Sequence, residues 1–350
     1  MIISTLQNKS LISPPKWLPS NTAYLTYMGS TAYGVAHNDS DADVYGFVIP
    51  PKDMIFPHLK GEIPGFGKQT QRFEVWQEHH IRDGKKEWDF SIYGIVKYLQ
   101  LVMENNPNMV ETLFTSRNHV IHSSTVAEMV RDARKSMLHK GAWHKFRGYA
   151  YSNLSKIRGK TVNAFFAFCQ ENGIPDTVAK SDVLAYQAKK DTPYREDLSR
   201  LSGPKVDELL SLLKNMPEVK SSRLNLVRKF GFDTKYAYHT VRLMLEAEQI
   251  LSTGDLILDR DAALYKAIRE GEWSLERVEE FFNEKERYLE DLYGKSTLPY
   301  TADEDAIRTL LLSCLEEHYG SLGNALVIPD AGQKLLKEME DLVNRYRGLV

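Results

Sequence analysis

The residues with the clearest chemical potential lie in one stretch, Met28-Gly-Ser-Thr-Ala-Tyr-Gly-Val-Ala-His-Asn-Asp-Ser-Asp-Ala-Asp-Val-Tyr-Gly46. Gly29 and Ser30 follow a short apolar run and stand where a helix should open. A glycine there lets a phosphate approach the backbone, and the free N–H groups of a helix start favour anionic oxygens. The Ser30 hydroxyl adds one more donor. Ten residues after Ser30, Ser40 opens a Ser-Asp-Ala-Asp run that sets Asp41 and Asp43 at i and i+2. At the start of a strand that spacing points both carboxylates to one face. Two carboxylates so placed repel each other and are costly without a cation between them, and Mg²⁺ prefers such oxygen ligands together with substrate phosphates. A lone Gly-Ser is usually a turn, and a lone Asp-x-Asp is usually a solvated loop. Their order and spacing, with a strand before each, form a much narrower pattern.

The elements that must position these residues are legible in outline. Tyr24–Met28 reads as a strand, and Val44–Ile49 as another, broken by Gly46 and stopped by Pro50-Pro51. Phe73–Gln77 and Glu87–Phe90 flank Asp83-Gly84, a strong hairpin signal. Helical periodicity begins at Ser91 and ends at Asn105-Asn-Pro-Asn108, where Pro107 disfavours helix in the residue before it. Beyond about residue 120 nearly everything is helical pattern: 126–138, 145–170, 206–213, 234–251, 262–269, 275–293, 305–317 and 333–346. The expectation is an α+β fold, with residues 1–120 as the catalytic domain and 121–350 as a larger, mostly helical domain that adds nucleotide and acceptor contacts.

The glycine-serine followed by Asp-x-Asp resembles the signature of nucleotidyltransferases of the DNA polymerase beta superfamily. Further segments are similar to one branch of it, the RNA-ligase-associated polymerase-beta-like nucleotidyltransferases of bacteria and their phages. These are Asn106-Pro-Asn-Met-Val-Glu-Thr-Leu-Phe114, Gly231-Phe-Asp-Thr-Lys-Tyr-Ala-Tyr-His-Thr-Val-Arg-Leu243 and Gly271-Glu-Trp273. The resemblance runs from about residue 24 to 280, and the Asn-Pro-Asn and Lys-Tyr-Ala-Tyr-His blocks are its more specific parts. It implies a mixed sheet with flanking helices and a third carboxylate from a later strand. Asp89 is the best candidate for that carboxylate. Its plainer reading is a helix N-cap, Glu87 on the same strand face is the fallback, and Glu74 is weaker still. The resemblance also implies transfer of an NMP from an NTP, with release of pyrophosphate, by a site holding two Mg²⁺ or Mn²⁺ ions on Asp41, Asp43 and Asp89. The expected acceptor is an RNA end, with tRNA among the candidates. Protein nucleotidylation and a silent nucleotide or RNA sensor are the competing readings.

A second group of residues stands far downstream. Between Lys220 and Arg242 there are six Lys or Arg and one acid, Asp233. On a helix from Thr234, Lys235, His239 and Arg242 share one face, while Ala237, Val241 and Met244 fall opposite and pack inward. That face is either solvated or a cationic wall for a triphosphate or an RNA backbone, with Arg242 able to hold phosphate bidentately. His79 and His80 on an alternating strand point to opposite faces. His37 sits in the loop before the acids. Gly65-Phe-Gly67 is too short to claim as a phosphate loop. Tyr149-Ala-Tyr151 and Arg158-Gly-Lys160 could meet RNA by stacking and charge.

Composition sets the frame. The 350 residues carry a formal net charge of −2, so any polyanion site must be a local concentration of cations. The two cysteines, Cys169 and Cys314, are far apart and read as buried thiols in a reducing compartment. No export signal or stretch of membrane-spanning length is visible, and the expected compartment is the cytoplasm.

Overall fold

The computed structural model describes residues 1–37, 40–60, 67, 72–157, 160–215, 222–323 and 331–346. The chain divides into two units, Met1–Leu138 with Ala302–Val350, and His139–Thr301.

In chain order the first unit opens with α1 (Ile2–Asn8), β1 (Thr22–Tyr27), α2 (Gly29–Ala32), β2 (Ala42–Val48), α3 (Lys52–Ile55), β3 (Val75–Asp83) and β4 (Lys86–Gly94). It continues with α4 (Ile95–Met103), α5 (Pro107–Phe114), β5 (Val120–Ser123) and α6 (Thr125–Asp132). The five strands form one sheet in the order β3-β4-β2-β1-β5. β2 and β4 run parallel and the other neighbours antiparallel, so the sheet is mixed and the fold is α+β.

Alternation sorts the side chains onto two faces. One face carries Leu25, Val44, Val48, Phe90 and Ile92, all fully buried with Ile3 and Leu6 of α1 and with Leu18. On the other face Phe47 packs against Tyr98 of α4 with ring centroids 4.7 Å apart. Tyr24 reaches from the same face to α5, where its hydroxyl donates to the Thr112 carbonyl at 2.9 Å. The buried Arg131 of α6 closes this polar seam by donating to Tyr24 and, at 2.8 Å, to the Thr115 carbonyl.

Two expectations about β2 and β4 change. β2 is continuous through Gly46, because a Cβ there would lie 1.9 Å from the Tyr24 carbonyl; the glycine permits close strand approach at a bulge in β1. The helix expected from Ser91 begins at Ile95, since β4 is paired on both sides up to Gly94. The residue at the helix N-cap is therefore Gly94, and Asp89 lies in mid-strand. The Asp83-Gly84 hairpin is present, with Gly84 at φ +67°. α4 ends at Met103, closed by Asn105 at φ +51° and by the Asn106 N–H donating to the Leu101 carbonyl, and Pro107 serves as the first residue of α5, where a missing N–H costs nothing.

Glu128 ties α6 to the sheet edge. Arg117 donates to both its oxygens at 2.5 and 2.6 Å, and Ser123 of β5 donates as well. The Arg117 contact, followed by the Ser123 bond, holds the Glu128 carboxyl down at about 2, below its ordinary 4.5. A depressed folded-state value means the stabilisation is complete above about 4.5 and is lost as pH falls toward 2. Arg117 is largely exposed, so solvent screening limits the expected loss in Glu128→Gln to about 1 kcal/mol at neutral pH. Urea midpoints of the two proteins should converge as pH drops from 4.5, and a pH-independent gap would refute the ion-pair account.

The second unit is helical: α7 (Ala142–Ile157), α8 (Lys160–Asn172), α9 (Lys180–Gln187), α10 (Arg195–Ser199), α11 (Gly203–Lys214), α12 (Ser222–Phe230), α13 (Thr234–Thr253), α14 (Ala262–Arg269) and α15 (Leu275–Lys295). The helix expected over 145–170 is two helices, α7 and α8. α13 is the central element, packed against α7, α12, α14 and α15. Asp233 caps it, accepting from the Lys235 and Tyr236 N–H groups at 2.9 and 3.0 Å. α8 to α11 bury a smaller cluster of their own around Phe165, Val183, Leu198 and Leu209. The chain then returns to the first unit with α16 (Glu304–Tyr319), which packs on α4 and α6, and α17 (Ala331–Tyr346). Among the described residues no helix is long and apolar enough to cross a membrane.

Candidate active site

The parallel pairing of β2 with β4 decides the geometry of the acids. Asp43 and Asp89 are direct Cα partners in the register, with Tyr45 opposite Ser91 as the next same-face pair. Adjacent strands lie about 4.8 Å apart, so the two carboxylates start side by side on one face of the sheet. Asp41, immediately before β2, is exposed, whereas Asp43 and Asp89 are half-buried. The charge at Asp43 is felt by its neighbour: burial first, then Asp43, pushes the Tyr45 phenol up to about 12.

Gly29 completes the cradle in an unexpected way. Its φ of +58° is the left-handed region that a glycine adopts without cost. A Cβ at this position would lie 1.8 Å from Asp43 Oδ2, so what approaches the bare backbone is the carboxylate of the site itself. The Met28 N–H donates to the Asp43 carbonyl at 2.8 Å, and Ser30 sits in the turn of α2 that follows. Gly29→Ala should therefore cost about 1–3 kcal/mol in backbone strain and displace Asp43. A displacement of that size should lower any reaction at the pair by about 100-fold. Melting and turnover measured together check this; turnover within about threefold of the parent would show that the close contact is immaterial.

Asp89 is held from the other side by a bulge. The β3–β4 register jumps between Glu78 and Ile81, so His79 and His80 together face Asp89. His80 takes φ +59° there, and its N–H donates to Asp89 Oδ1 at 2.7 Å. The ring Nδ1 of His79 lies 3.6 Å from the same oxygen. The ring of His80 turns instead to Glu87, with Nδ1 and Oε1 2.6 Å apart. That contact, then the charge of Asp89, raises the His80 pKa, while the same contact lowers that of Glu87. Strict alternation had placed the two histidines on opposite faces; the extra residue of the bulge removes that alternation. Glu87 is thus in a close hydrogen bond with the His80 ring, whereas Asp89 meets the His79 ring only at 3.6 Å. Glu74 lies outside β3, with Lys97 3.8 Å away.

A buried acid stands behind the turn. Glu111 of α5 is fully buried and accepts from the Tyr33 hydroxyl at the end of α2. Neither residue was singled out in the sequence, although Glu111 lies inside the Asn106–Phe114 block. A burial signal was present in its apolar neighbours Met109, Val110 and Leu113.

The downstream group lies in the second unit, on α13. Lys235 and His239 are half-buried, and the His239 ring lies tilted beside that of Tyr238, with centroids 4.1 Å apart. Arg242 departs from the expected phosphate contact: it is buried, and its Nη1 donates to both oxygens of the fully buried Glu246 at 2.8 and 2.9 Å. The reason is the central place of α13, which leaves no broad solvated face. His37 is exposed, its N–H donating to the Ser40 hydroxyl at 2.9 Å. Arg158 with the side chain of Lys160, and most of Gly65–Gly67, lie outside the described residues.

The model of the RNA repair pathway DNA polymerase beta family matches residues 7–298. The chain belongs to that family. The match takes in every acid of the site and most of the second unit, and α16 and α17 lie beyond it. No curated protein and no solved structure matches the chain. The Gly29 turn and the Asp43–Asp89 pair both lie inside the span matched by the RNA repair pathway DNA polymerase beta family.

Divalent cations fit this place by the chemistry of its donors. Two carboxylates held side by side on paired strands, with Asp41 next to them, are hard oxygen ligands that a cation would relieve of mutual repulsion. Among the described residues no three His, Cys, Asp or Glu side chains are already gathered around one point. The preformed element is the pair.

Proposed function

We propose that the protein transfers a nucleoside monophosphate from an NTP to a hydroxyl acceptor, an RNA end, and releases pyrophosphate. The observation that carries the reading is the in-register Asp43–Asp89 pair beside the Gly29 turn. Asp41, Asp43 and Asp89 would hold a pair of divalent cations, Mg²⁺ or Mn²⁺, whose contribution when bound is to acidify the acceptor hydroxyl and offset the charge of the triphosphate.

The side chains supply the rest. Asp89 has one oxygen committed to the His80 N–H, which leaves Oδ2 to accept the proton of the attacking hydroxyl. The new bond joins the acceptor oxygen to the α-phosphorus, and the bond to the β-phosphate oxygen breaks. Ser30 and the backbone of the Gly29 turn orient phosphate oxygens by hydrogen bonding. Lys235 and His239 of the second unit are proposed to contact the nucleotide or the acceptor through their half-buried polar ends. Arg242, occupied by Glu246, has no such role in this proposal.

The RNA acceptor is supported by the family, which is described as part of an RNA repair pathway. A silent sensor is disfavoured because a protein that only binds has no need of two adjacent like charges, an arrangement that costs stability. Incubation with each α-labelled NTP and Mg²⁺ or Mn²⁺, offering total RNA and total protein, tests the reading. Label entering RNA supports it, label entering protein replaces the acceptor class, and label in neither fraction refutes it.

A further inference from the structure

In α17 (Ala331–Tyr346), Leu335, Leu336, Met339, Leu342 and Val343 recur at three- and four-residue steps, which gathers them on one side of the helix. Each of the five is 56–63% exposed. The contrast is with α16, whose Ile307, Cys314 and Leu315 are buried and which packs on α4 and α6. Among the described residues no element packs along α17 in that way. Single exposed apolar side chains are ordinary on a protein surface, but five contiguous ones mark an interaction site. The family match ends at residue 298, so this face belongs to what the chain carries beyond it.

The apolar positions are symmetric about Met339, falling three and four residues to either side of it. A two-fold axis through Met339, with the helices antiparallel, therefore sets Met339 on the partner's Met339, Leu335 against the partner's Leu342 and Leu336 against the partner's Val343. Such self-matching is what an interface between identical copies requires and a foreign surface does not. At about 100 Å² for each half-exposed side chain, the pair would cover about 1,000 Å² in all, the size at which a specific though weak interface begins. Charge argues against the other common occupants. α17 has three Lys or Arg and three Asp or Glu. Two of its acids, Glu338 and Glu340, stand exposed about 100° to either side of Met339. An anionic lipid surface or a polynucleotide needs a cationic rim and would be repelled there. In a pair of copies each of these acids lies at the wet rim near its own counterpart, where a like pair costs little and salt screens it.

We propose that α17 is the contact through which two copies of this chain pair, antiparallel about Met339, as a weak and reversible dimer. Nucleotidyl transfer is not a premise of it. The test is sedimentation equilibrium of the full chain over about a thousandfold range of concentration centred in the micromolar. The wild type should pass from one chain to two, and more readily at higher salt. Met339→Glu should weaken the pairing by at least about 30-fold, the scale of a central interface residue. Its melting curve in the single-chain state should be unchanged, because the position is exposed there. Cysteine variants read the geometry, since Cys169 and Cys314 are buried. On mild oxidation Met339→Cys should cross-link to itself. Leu335→Cys should cross-link to Leu342→Cys in a mixture and hardly to itself. A wild type that stays single throughout, or a dimer left intact in Met339→Glu, would overturn the proposal. Equal self-linking of Leu335→Cys and Met339→Cys would overturn the antiparallel arrangement. Sedimentation of a single-chain wild type with phosphatidylcholine vesicles would assign the face to a lipid surface instead.

Discussion

Asp43→Asn is expected to lower nucleotidyl transfer by at least about 1,000-fold, equivalent to about 4 kcal/mol of transition-state stabilisation, while leaving the fold intact. The amide keeps the shape that fits against Gly29, so the turn is undisturbed. It removes one of two like charges held side by side with Asp89, so the melting temperature should stay level or rise. That combination separates a functional carboxylate from a structural one, because losing a structural acid lowers both quantities together. Asp89→Asn should behave in the same way, whereas Glu87→Gln should change turnover by only a few-fold, its carboxylate being engaged by His80. Turnover of labelled NTP and thermal melting, measured on the same preparations, decide the matter. Transfer retained within tenfold by Asp43→Asn would remove the acid from the mechanism.

Glu246→Ala is expected to destabilise the second unit by about 3–5 kcal/mol, because it leaves the buried Arg242 without its compensating charge. α13 is the helix on which α7, α12, α14 and α15 pack, so the loss should spread through the unit. The pair contrasts with the surface pairs of this chain, such as Arg195–Asp191, whose removal should be near neutral. A joint replacement by apolar residues, Arg242→Met with Glu246→Leu, should recover much of the loss, since exchanging a buried pair for packed side chains is often neutral. Urea denaturation followed by circular dichroism reads both variants. A cost below about 1 kcal/mol for Glu246→Ala would return Arg242 to the candidates for phosphate contact.

Much of the first unit was legible because its signals are local. The Gly29-Ser30 turn, the Asp-x-Asp spacing and the Asp83-Gly84 hairpin each depend on residues a few positions apart, and period-two alternation carries the strand faces with it. The longer helices of the second unit were legible for the same reason, through three- and four-residue apolar steps, whereas α9, α10 and α12 were not read and α7 and α8 read as one. Errors arose where pairing with a distant strand overrides a local preference. β4 continues past Ser91 because β2 and β3 bind both its edges, and the apolar residues that look helical from Ile92 onward begin in the sheet. The bulge at His79-His80 has no local marker, since nothing in that run announces a residue with positive φ.

The sequence by itself determined which chemistry is available: a glycine turn, three carboxylates, and an α+β unit followed by helices. Tertiary structure alone decided which carboxylates meet. The parallel register sets Asp89 opposite Asp43 from 46 positions away, a pairing that no spacing along the chain encodes. It also decided that Gly29 makes room for Asp43, that Glu111 lies buried against Tyr33, and that Arg242 serves Glu246. Helical periodicity shows that a residue lies on a given face, but what covers that face depends on elements that arrive later in the chain. The burial of α13 by helices on both sides of it in sequence, and the return of α16 to α4 and α6, are of that kind.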